Sequence, residues 1–349
     1  MTTTSKKIII APLNWGLGHA TRCIPIINAL ISEKFTPIIA SDGNALEFLK
    51  QEFPTLETIL LPSYNITYGK NLKLSLLLQL PKIIKAVQQE HAVIKHFLAA
   101  NKDVVGLISD NRFGVRNNTI PSVYITHQLN VLSGFTSMLT SKIHQIIIKK
   151  FDECWVPDQL NSEFSGKLSI SNQPLNQKFI GVLSRFTKQE LPEVIDVLVI
   201  ISGPEPSRTN FEKKLISEFK NDTRNIVFVL GIVEKHQKKW KENNCTFYNY
   251  VLSAELESFI NSSKVVVCRS GYTSIMDLAV LEKKVFFIPT KNQEEQEYLA
   301  TYLYKNKTAP FSNLIDFTAE KLDQIAAYKG LSAQSHTLDS VLFGLFHGK

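Results

Sequence analysis

Short apolar runs alternate with longer amphipathic stretches along most of the chain. In the first half, apolar runs at residues 7–13, 36–40, 104–109 and 122–126 are typical of buried strands. Residues 21–32 follow the first run, and their apolar positions have helical spacing. Because strands that alternate with helices form parallel sheets, this half predicts a doubly wound α/β domain.

A second series of the same kind begins near residue 196. Its pattern predicts strands at 197–201, 225–230, 264–268 and 285–288 and helices at 210–219, 252–260 and 272–281. Together the two series predict the fold class, which is α/β with two Rossmann-like, doubly wound domains. The N-terminal domain is expected over residues 1–180 and the C-terminal domain over 181–349. The last predicted helix, near 332–346, is compatible with packing back on the N-terminal domain.

Length and charge narrow the class of protein. The chain has 349 residues, which suits two domains rather than one core. Its 39 Lys and Arg against 32 Asp and Glu give a net charge of +7, which favours anionic partners such as nucleotides, phosphorylated substrates or an acidic membrane surface. The basic residues are scattered and form no nucleic-acid-binding motif, so no nucleic-acid partner is expected.

The cysteines and the N-terminus indicate a reducing compartment. Cys23, Cys154, Cys245 and Cys268 are widely spaced, which predicts free buried thiols rather than disulfides or a zinc site. The first apolar run is too short for a signal peptide, and no stretch of about 20 uncharged apolar residues is present. These features predict a cytoplasmic protein.

A glycine loop lies between the first predicted strand and the first helix. Gly16 and Gly18 allow a close approach of the backbone to a ligand, and the helix start can receive an anion. His19 stands at the mouth of the helix, where the positive helix end lowers its pKa and suits it to act as a general base. A helix-capping or solvated histidine explains the same position equally well.

An NAD-dependent dehydrogenase is one interpretation of this loop. Such an enzyme carries Gly-x-Gly-x-x-Gly here and an acidic residue about 20 positions later. Asp42 nearly meets the second condition, but Thr21 replaces the third glycine. A dehydrogenase also leaves the glycine loops of the second half without a role.

The second half contains two further strand-to-helix turns. Ser202 and Gly203 follow its first predicted strand, and Arg208 lies nearby, where contact with solvent is favoured over contact with a phosphate. The second turn runs from residue 268 to 277. There Ser270 is predicted as the helix N-cap, with Gly271 in the first helical turn.

The turn at 268–277 combines the groups that hold a diphosphate and a ribose. Free N–H groups, the helix dipole and the hydroxyls of Ser270, Thr273 and Ser274 predict a diphosphate site. Asp277 lies further along the helix and can hold a ribose diol through two hydrogen bonds. Taken alone, the same aspartate is better explained as a surface carboxylate near a helix start.

This segment resembles the donor-site motif of family 28 glycosyltransferases, the MurG-like enzymes that depend on UDP-sugars. In that family a strand ends in Arg-Ser-Gly, and an acidic residue six positions after the glycine binds the ribose. Arg269, Ser270, Gly271 and Asp277 match at this spacing, with Asp in place of the more usual Glu. The resemblance implies the GT-B fold, in which two Rossmann-like domains face a cleft and the C-terminal one holds the donor.

The resemblance extends to shorter segments on both halves. Gln296 falls on a glutamine that contacts the donor hexose, whereas Glu297 replaces a second glutamine, which leaves the identity of the sugar open. Arg185 resembles an interdomain arginine near the nucleotide. On the acceptor side, Gly18 and His19 resemble a Gly-Gly-His loop, and two residues three apart resemble a His and Asn pair of the family, namely His127 and Asn130.

The resemblance implies a metal-independent transfer, without a cofactor, of a hexose or N-acetylhexosamine from a nucleotide-diphosphate sugar to a hydroxyl acceptor. His19 is then the catalytic base or the group that orients the acceptor. The residues implied in donor binding are Arg185, Ser202, Gly203, Arg269, Ser270, Gly271, Thr273, Asp277, Gln296 and Glu297, and those implied on the acceptor side are Gly16, Gly18, His127 and Asn130. A nucleotide-sugar epimerase or hydrolase of the same fold and a non-catalytic nucleotide-sugar sensor are the alternatives.

The acceptor is the least determined partner, with a glycan, a lipid-linked molecule and a small molecule all open. Residues 72–85 and 143–150 combine aliphatic and basic side chains, as segments that lie on an anionic membrane do. Peripheral contact with the inner face of the membrane is therefore one expectation. Helices that bury their aliphatic residues and solvate their lysines are the favoured alternative.

Overall fold

The computed structural model describes residues 6–64, 72–132, 137–171, 173–232, 234–334 and 338–347. Among these residues the chain divides into two compact units. The N-terminal unit contains the described residues through Leu183 together with 338–347, and the C-terminal unit contains those from Ser184 to 334.

The N-terminal unit is built on a parallel sheet, in which the described residues form seven strands. The order of the strands across the sheet is β3-β2-β1-β4-β5-β6-β7. The strands are β1 (Lys7–Pro12), β2 (Thr36–Ser41), β3 (Thr58–Leu60), β4 (Val104–Asp110), β5 (Ser122–Ile125), β6 (Glu153–Val156) and β7 (Gln177–Phe179). Its helices are α1 (Gly18–Ser32), α2 (Gly43–Glu52), α3 (Leu72–Ala100) and α4 (Ser137–Ile148), with a 3-10 turn at Gly166–Ser169.

The C-terminal unit has a second sheet, whose strand order is β10-β11-β9-β8-β12-β13 among the described residues. Its pairs are parallel except for the antiparallel pair β10 and β11. The strands are β8 (Ile195–Ile200), β9 (Ile226–Val229), β10 (Lys239–Glu242), β11 (Cys245–Tyr248), β12 (Ser263–Cys268) and β13 (Val285–Phe287). The helices are α5 (Ser207–Phe219), α6 (Ser253–Asn261), α7 (Tyr272–Val280) and α8 (Glu294–Lys305), followed by a 3-10 segment at Ala319–Ala327.

Burial on both faces of the sheets explains the continuous apolar runs in the sequence. Ile8, Ile9 and Ile10 of β1 are all fully buried, although successive side chains point to opposite faces. In the C-terminal unit, Val199 of β8 and Val267 of β12 are likewise fully buried. The prediction of two doubly wound α/β units is therefore confirmed.

The final segment of the chain packs in the N-terminal unit. The short helix α9 (Ser340–Phe343) begins after Asp339, whose side chain accepts hydrogen bonds from two backbone amides of its first turn. Phe346 lies directly on β4, since a Cβ atom added to Gly106 would come within 2.1 Å of its ring. Its ring centroid is also 6.3 Å from that of Trp155 on β6.

This last helix is much shorter than the sequence pattern predicts. A helix was expected over about 332–346, but the described residues are helical only from Ser340, and Ala333 bonds back to Ala279 of α7. Residues 335–337 lie outside the described residues. All four cysteines are buried and free, as their spacing predicts.

Truncation of Phe346 tests how much this segment stabilises the N-terminal unit. We expect Phe346→Ala to lower the free energy of unfolding by about 3–5 kcal/mol, because it removes a buried aromatic side chain from a packed sheet face. The midpoint of urea unfolding measures the change.

Val341→Ala is the matched control, because Val341 lies on the same segment and is 81% exposed. It should change stability by less than about 0.5 kcal/mol. Equal midpoints for the Phe346→Ala variant and the unaltered protein would show that the segment contributes no packing energy.

Candidate active site

The topology of the N-terminal sheet picks out one place for a ligand. The chain passes from β1 outward to β2 and β3 and then returns to β4 on the other side of β1. In open parallel sheets, ligands bind outside the carboxyl ends of the strands at such a switch in strand order. The loop that follows β1 leads into α1, and the loop that follows β4 begins at Asn111. Both loops carry polar side chains.

His19 and Asp110 meet at this switch point. His19 is the second residue of α1, and its Nδ1 lies 2.9 Å from Oδ1 of Asp110, the last residue of β4. The His19 side chain is 17% exposed and that of Asp110 is fully buried. His19 Nε2 makes no hydrogen bond with any described residue. A partly exposed imidazole held by a buried carboxylate is an arrangement that can remove a proton from a hydroxyl group.

Arg22 is the third member of this cluster. One turn along α1 from His19, its Nε donates to Asp110 Oδ2 over 2.6 Å, and its Nη2 donates to Oδ1 of the same carboxylate. Burial alone would raise the pKa of Asp110, but the charges of Arg22 and His19 and their hydrogen bonds outweigh it. The pKa of Asp110 is therefore held well below its ordinary range.

The same surroundings keep His19 uncharged near neutral pH. Burial is the largest influence and lowers the pKa of His19 below its ordinary value. The Asp110 carboxylate opposes this shift, whereas the positive charge of Arg22 reinforces it. The sequence-based hypothesis attributed a lowered pKa to the helix end, but burial is the main cause here.

The glycine loop before α1 leaves backbone and apolar side chains exposed beside His19. Gly16 has a φ of +70°, and a Cβ atom added to it would meet nothing within 4 Å. Trp15 and Leu17 on either side of it are each 39% exposed. Gly18 begins the helix, and no side chain of the N-cap residue, Leu17, caps it.

The other two residues predicted on the acceptor side have different surroundings. His127 is buried, and its Nδ1 lies 3.4 Å from Arg22 Nη1, so it belongs to the same cluster as His19. Asn130 instead donates from its Nδ2 to the carbonyl oxygens of Lys167 and Ile170. These bonds use the amide N–H groups to hold a loop, and the predicted acceptor-side role of Asn130 stays a prediction.

Asp42, the residue that suggested a dehydrogenase, is already bonded to other side chains of the protein. Asp42 is buried and forms an ion pair with Arg112, and its Oδ2 accepts from Asn14 Nδ2 over 3.2 Å. A ribose-binding carboxylate needs to face the ligand. The structure therefore gives no support to the dehydrogenase interpretation.

The C-terminal sheet has a switch point of the same kind between β8 and β12. Ser202 and Gly203 follow β8 and are both exposed. Gly203 has a φ of +114°, which side chains rarely adopt, and open space surrounds the position of its missing Cβ. This loop therefore leaves room for a ligand at the carboxyl edge of the sheet. Arg208 beyond it forms ion pairs with Glu205 and Glu212.

The turn between β12 and α7 differs in detail from the prediction. The N-cap is Gly271, not Ser270, and Gly271 provides no side-chain cap. Ser270 is fully buried, and its hydroxyl donates to the carbonyl oxygen of Gln296. The hydroxyl of Ser270 therefore fixes α8 against this turn. Thr273 is half-buried in the first turn of α7, where backbone N–H groups point toward an incoming anion.

Arg269 is a buried structural residue. Its Nη1 donates to the carbonyl oxygens of Ile288 and Pro289, and its Nη2 donates to Ser207. The guanidinium also stacks on Phe211, with Cζ 3.9 Å from the ring centroid. Both Nη groups bond to protein oxygens, so Arg269 joins the ends of β12 and β13 to the start of α5, whereas its Nε is buried and has no hydrogen-bond partner among the described residues. The predicted phosphate contact of Arg269 stays a prediction.

Asp277 lies about one and a half turns into α7. Its Oδ1 accepts a hydrogen bond of 2.6 Å from the hydroxyl of Ser184. Burial raises the pKa of Asp277 to about 6, although the positive charge of Arg185 and the Ser184 hydrogen bond act in the opposite direction. The guanidinium of Arg185 lies over the ring of Phe186, with Cζ 4.8 Å from its centroid.

Gln296 and Glu297 both support the loop that follows β13. The side-chain oxygen of Gln296 accepts from the backbone N–H of Thr290 over 2.9 Å, and Nε2 makes no hydrogen bond with any described residue. Oε1 of Glu297 accepts from the backbone N–H of Asn292, whose φ is +64°. Gln296 therefore has only its amide N–H groups to offer a ligand.

Sequence reasoning missed three polar residues of these two sites: Arg22, Asp110 and Ser184. Asp110 directly follows an apolar run predicted as a strand, so its place at the carboxyl edge was available as a signal. Arg22 lies three residues after His19, a spacing that places two side chains on one helix face. Ser184 has no such signal, since it meets Asp277 only through a contact 93 residues apart in sequence.

Comparison with known families gives a match in the C-terminal half. Residues 174–330 match the glycosyltransferase family 28 C-terminal domain. The matched range contains the turn between β12 and α7 and the Gln296 loop.

Relatives match across both units. The chain is 23% identical over 285 residues to the UDP-N-acetylglucosamine--N-acetylmuramyl-(pentapeptide) pyrophosphoryl-undecaprenol N-acetylglucosamine transferase of Haemophilus ducreyi, and this covers 76% of the chain and 77% of the relative. The Pasteurella multocida enzyme of the same name is 24% identical over 258 residues, covering 70% of the chain and 65% of the relative.

Solved glycosyltransferases share the fold. The glycosyltransferase of kitacinnamycin superposes with a TM-score of 0.66 at 14% identity and covers 92% of the chain and 89% of its own length. The calicheamicin glycosyltransferase CalG4 gives 0.64 at 11% identity, with 99% and 93% covered. MurG of Acinetobacter baumannii gives 0.54 at 13% identity, with 93% and 90% covered.

The fold and the two strand-edge sites agree with these matches. The chain is a glycosyltransferase with the GT-B fold that resembles the MurG-like enzymes of family 28, and its residues 174–330 match the C-terminal domain of that family.

Proposed function

We propose that this chain transfers an N-acetylhexosamine or a hexose from a UDP-sugar to a hydroxyl group of a lipid-linked or glycan acceptor in cell-envelope synthesis. The observation that carries the donor assignment is the N-terminus of α7 at the switch point, with Gly271 as N-cap and Asp277 further along the same helix. The names of the relatives, which are N-acetylglucosamine transferases that use a UDP-sugar, support the class of donor.

In this proposal the diphosphate lies at the start of α7, near Gly271 and Thr273. The helix dipole and the N–H groups of the first turn stabilise its negative charge as it leaves. Asp277 accepts hydrogen bonds from the ribose diol, with Arg185 beside it, and Gln296 donates its amide to the sugar. The open Ser202 and Gly203 loop completes the donor side.

On the acceptor side, His19 removes the proton of the attacking hydroxyl through Nε2. Asp110 holds Nδ1 and orients the ring, so the exposed nitrogen faces away from the buried carboxylate. Gly16 and Gly18 let the acceptor approach, and the half-exposed Trp15 and Leu17 suit an acceptor with an apolar portion.

Asp277 tests the donor site. Asp277→Ala should weaken binding of UDP-N-acetylglucosamine by about 10–100-fold, because a carboxylate that accepts two hydroxyl groups contributes about 1.5–3 kcal/mol. The rise in melting temperature with added UDP-N-acetylglucosamine, compared with other nucleotide sugars, measures it. Affinity of the unaltered protein should also fall below about pH 6, where Asp277 takes up a proton.

The matched control is Glu282→Gln, because Glu282 lies just beyond the C-terminal end of α7 and pairs on the surface with Lys188. It should leave donor affinity unchanged. Wild-type affinity in Asp277→Ala would remove Asp277 from the donor site.

His19 tests the chemistry. With UDP-N-acetylglucosamine and the muramyl-pentapeptide pyrophosphoryl-undecaprenol acceptor named for the relatives, His19→Gln should lower kcat by about 10²–10⁴-fold. Donor binding should be unchanged, since His19 lies in the other unit. Full turnover by this variant would exclude His19 as the base.

The same assay without acceptor separates transfer from the related activities. A transferase leaves the UDP-sugar largely intact under these conditions. Rapid release of free sugar would indicate a hydrolase, and an epimerised product would indicate an epimerase. Donor binding without turnover under any condition would indicate a sensor.

Peripheral contact with an anionic membrane is part of the proposal. On α4, Ile143 and Ile146 are 50% and 56% exposed, and Lys142 on the same helix and Lys149 just after its last residue are also exposed. On α3, Leu80 and Ile84 are 46% and 55% exposed between lysines. Exposed aliphatic side chains beside basic ones suit the surface of an anionic bilayer, which attracts the lysines while the isoleucines insert. The side chains of residues 72–78, at the start of the predicted segment 72–85, lie outside the described part of the structure.

No helix among the described residues is both long and apolar enough to cross a bilayer.

Sedimentation with liposomes tests this surface. At low salt the protein should sediment with vesicles that contain phosphatidylglycerol and much less with pure phosphatidylcholine, and Ile143→Ser with Ile146→Ser should reduce sedimentation several-fold. Leu160→Ser is the control, because Leu160 is 76% exposed elsewhere in the same unit. No sedimentation with anionic vesicles at low salt would remove the membrane contact.

A further inference from the structure

The contacts of Arg22 go beyond what holding a carboxylate requires. Its Nε and Nη2 bind both oxygens of Asp110, which is the two-pronged geometry that makes arginine–carboxylate pairs rigid. Nη2 also lies 2.9 Å from Nδ1 of His19. The side chain is 2% exposed, so little water screens these interactions.

Two neighbours compete for the same ring nitrogen. Nδ1 of His19 lies 2.9 Å from Asp110 Oδ1 and 2.9 Å from Arg22 Nη2. In the tautomer that leaves Nε2 free to act as a base, Nδ1–H donates a hydrogen bond to the carboxylate, and the guanidinium, which can only donate hydrogen bonds, acts on the ring through its positive charge alone. A carboxylate alone would stabilise a positively charged ring, but here its charge is already balanced by Arg22.

We propose that Arg22 is a positioning residue of the acceptor site, which fixes Asp110 beneath His19 and, by lying beside Nδ1, opposes the addition of a proton to the ring. This inference rests on the proposed role of His19 as the base. A base has to be uncharged before it can take a proton from the acceptor, so Arg22 maintains the reactive form of His19 near neutral pH.

The charged and titratable groups around His19 are few. Asp110 faces it from β4, and Arg22 and Cys23 lie on its own helix, where the Cys23 sulfur is 3.7 Å from Asp110 Oδ2. His127 follows β5 and contacts the far side of the guanidinium. Burial, Arg22 and His127 lower the pKa of His19, and Asp110 raises it. Removing the charge of Arg22 therefore leaves only burial and His127 to oppose the effect of Asp110 on the ring.

The test measures the titration of His19 directly by NMR of its ring nitrogens, in the full-length protein without substrates. In the unaltered protein we expect the pKa of His19 to lie below its ordinary value of 6.5. In Arg22→Gln it should rise by about one unit or more, because the charge opposite Asp110 is lost. A pKa above 6.5 in the unaltered protein, or no rise in this variant, would overturn the inference.

Two further variants separate charge from packing. Arg22→Lys retains a positive charge and should keep the titration within about half a unit of the unaltered protein. Asp110→Asn removes the one group that favours the charged ring and should lower the pKa of His19. If Arg22→Lys moves the titration upward as far as Arg22→Gln does, packing rather than charge is responsible and the inference fails.

The pH dependence of kcat/KM distinguishes this inference from the proposed function. If both hold, the acidic limb of the profile moves to higher pH in Arg22→Gln by the same amount as the NMR titration, so activity falls about tenfold or more at pH 6 and less at pH 8. If the pKa measured by NMR rises in Arg22→Gln but the acidic limb of the kcat/KM profile stays in place, Arg22 controls protonation of the His19 ring as inferred, but His19 is not the base.

Discussion

The fully buried guanidinium of Arg112 holds together the edge of the N-terminal sheet on which the proposed acceptor site depends. It donates to the last carbonyl of β1 at Pro12, to Pro62 beyond β3, to Glu90 of α3 and to Asp42 beyond β2. The carboxylates of Asp42 and Glu90 share this one cation. Burial nevertheless raises the pKa of Glu90 above its ordinary value. Such a group is costly to bury unless every donor is used, so the surrounding loops have little freedom to move.

Each unit places an aspartate near an arginine close to the carboxyl edge of its sheet, but the two aspartates differ in charge state. Arg22 binds Asp110 through two hydrogen bonds, and the pKa of that carboxyl falls well below its ordinary range. Arg185 acts on Asp277 through its charge, and burial dominates, so the pKa rises to about 6. The first carboxylate is a fixed anion that orients His19, the proposed base. The second remains responsive to pH, as suits a group whose proposed partner is a neutral diol.

Apart from the last helix, the strands and helices that the pattern of apolar residues predicted lie within a few residues of observed ones, because strands buried on both faces leave continuous apolar runs, but β3, β6, β7, β10 and β11 were not predicted. The pattern failed at the end of the chain, where Phe343 and Phe346 are buried by contact with Trp155 and not by a long helix. The motif at 268–277 predicted the turn correctly but not the use of its side chains. Ser270 and Arg269 have the residue types of phosphate ligands, yet the hydroxyl of Ser270 and both Nη groups of Arg269 bond to protein oxygens.

The sequence by itself determined the class of fold, the two strand-to-helix turns and the resemblance to family 28, since these follow from local spacing and from a short motif. Only the tertiary structure decided which polar groups remain available to a ligand. Asp42 and Asn130 are taken up by distant partners, whereas His19 is held by a residue 91 positions away. This hydrogen bond forms because β1 and β4 are adjacent in the sheet. The local sequence around either residue does not reveal that adjacency.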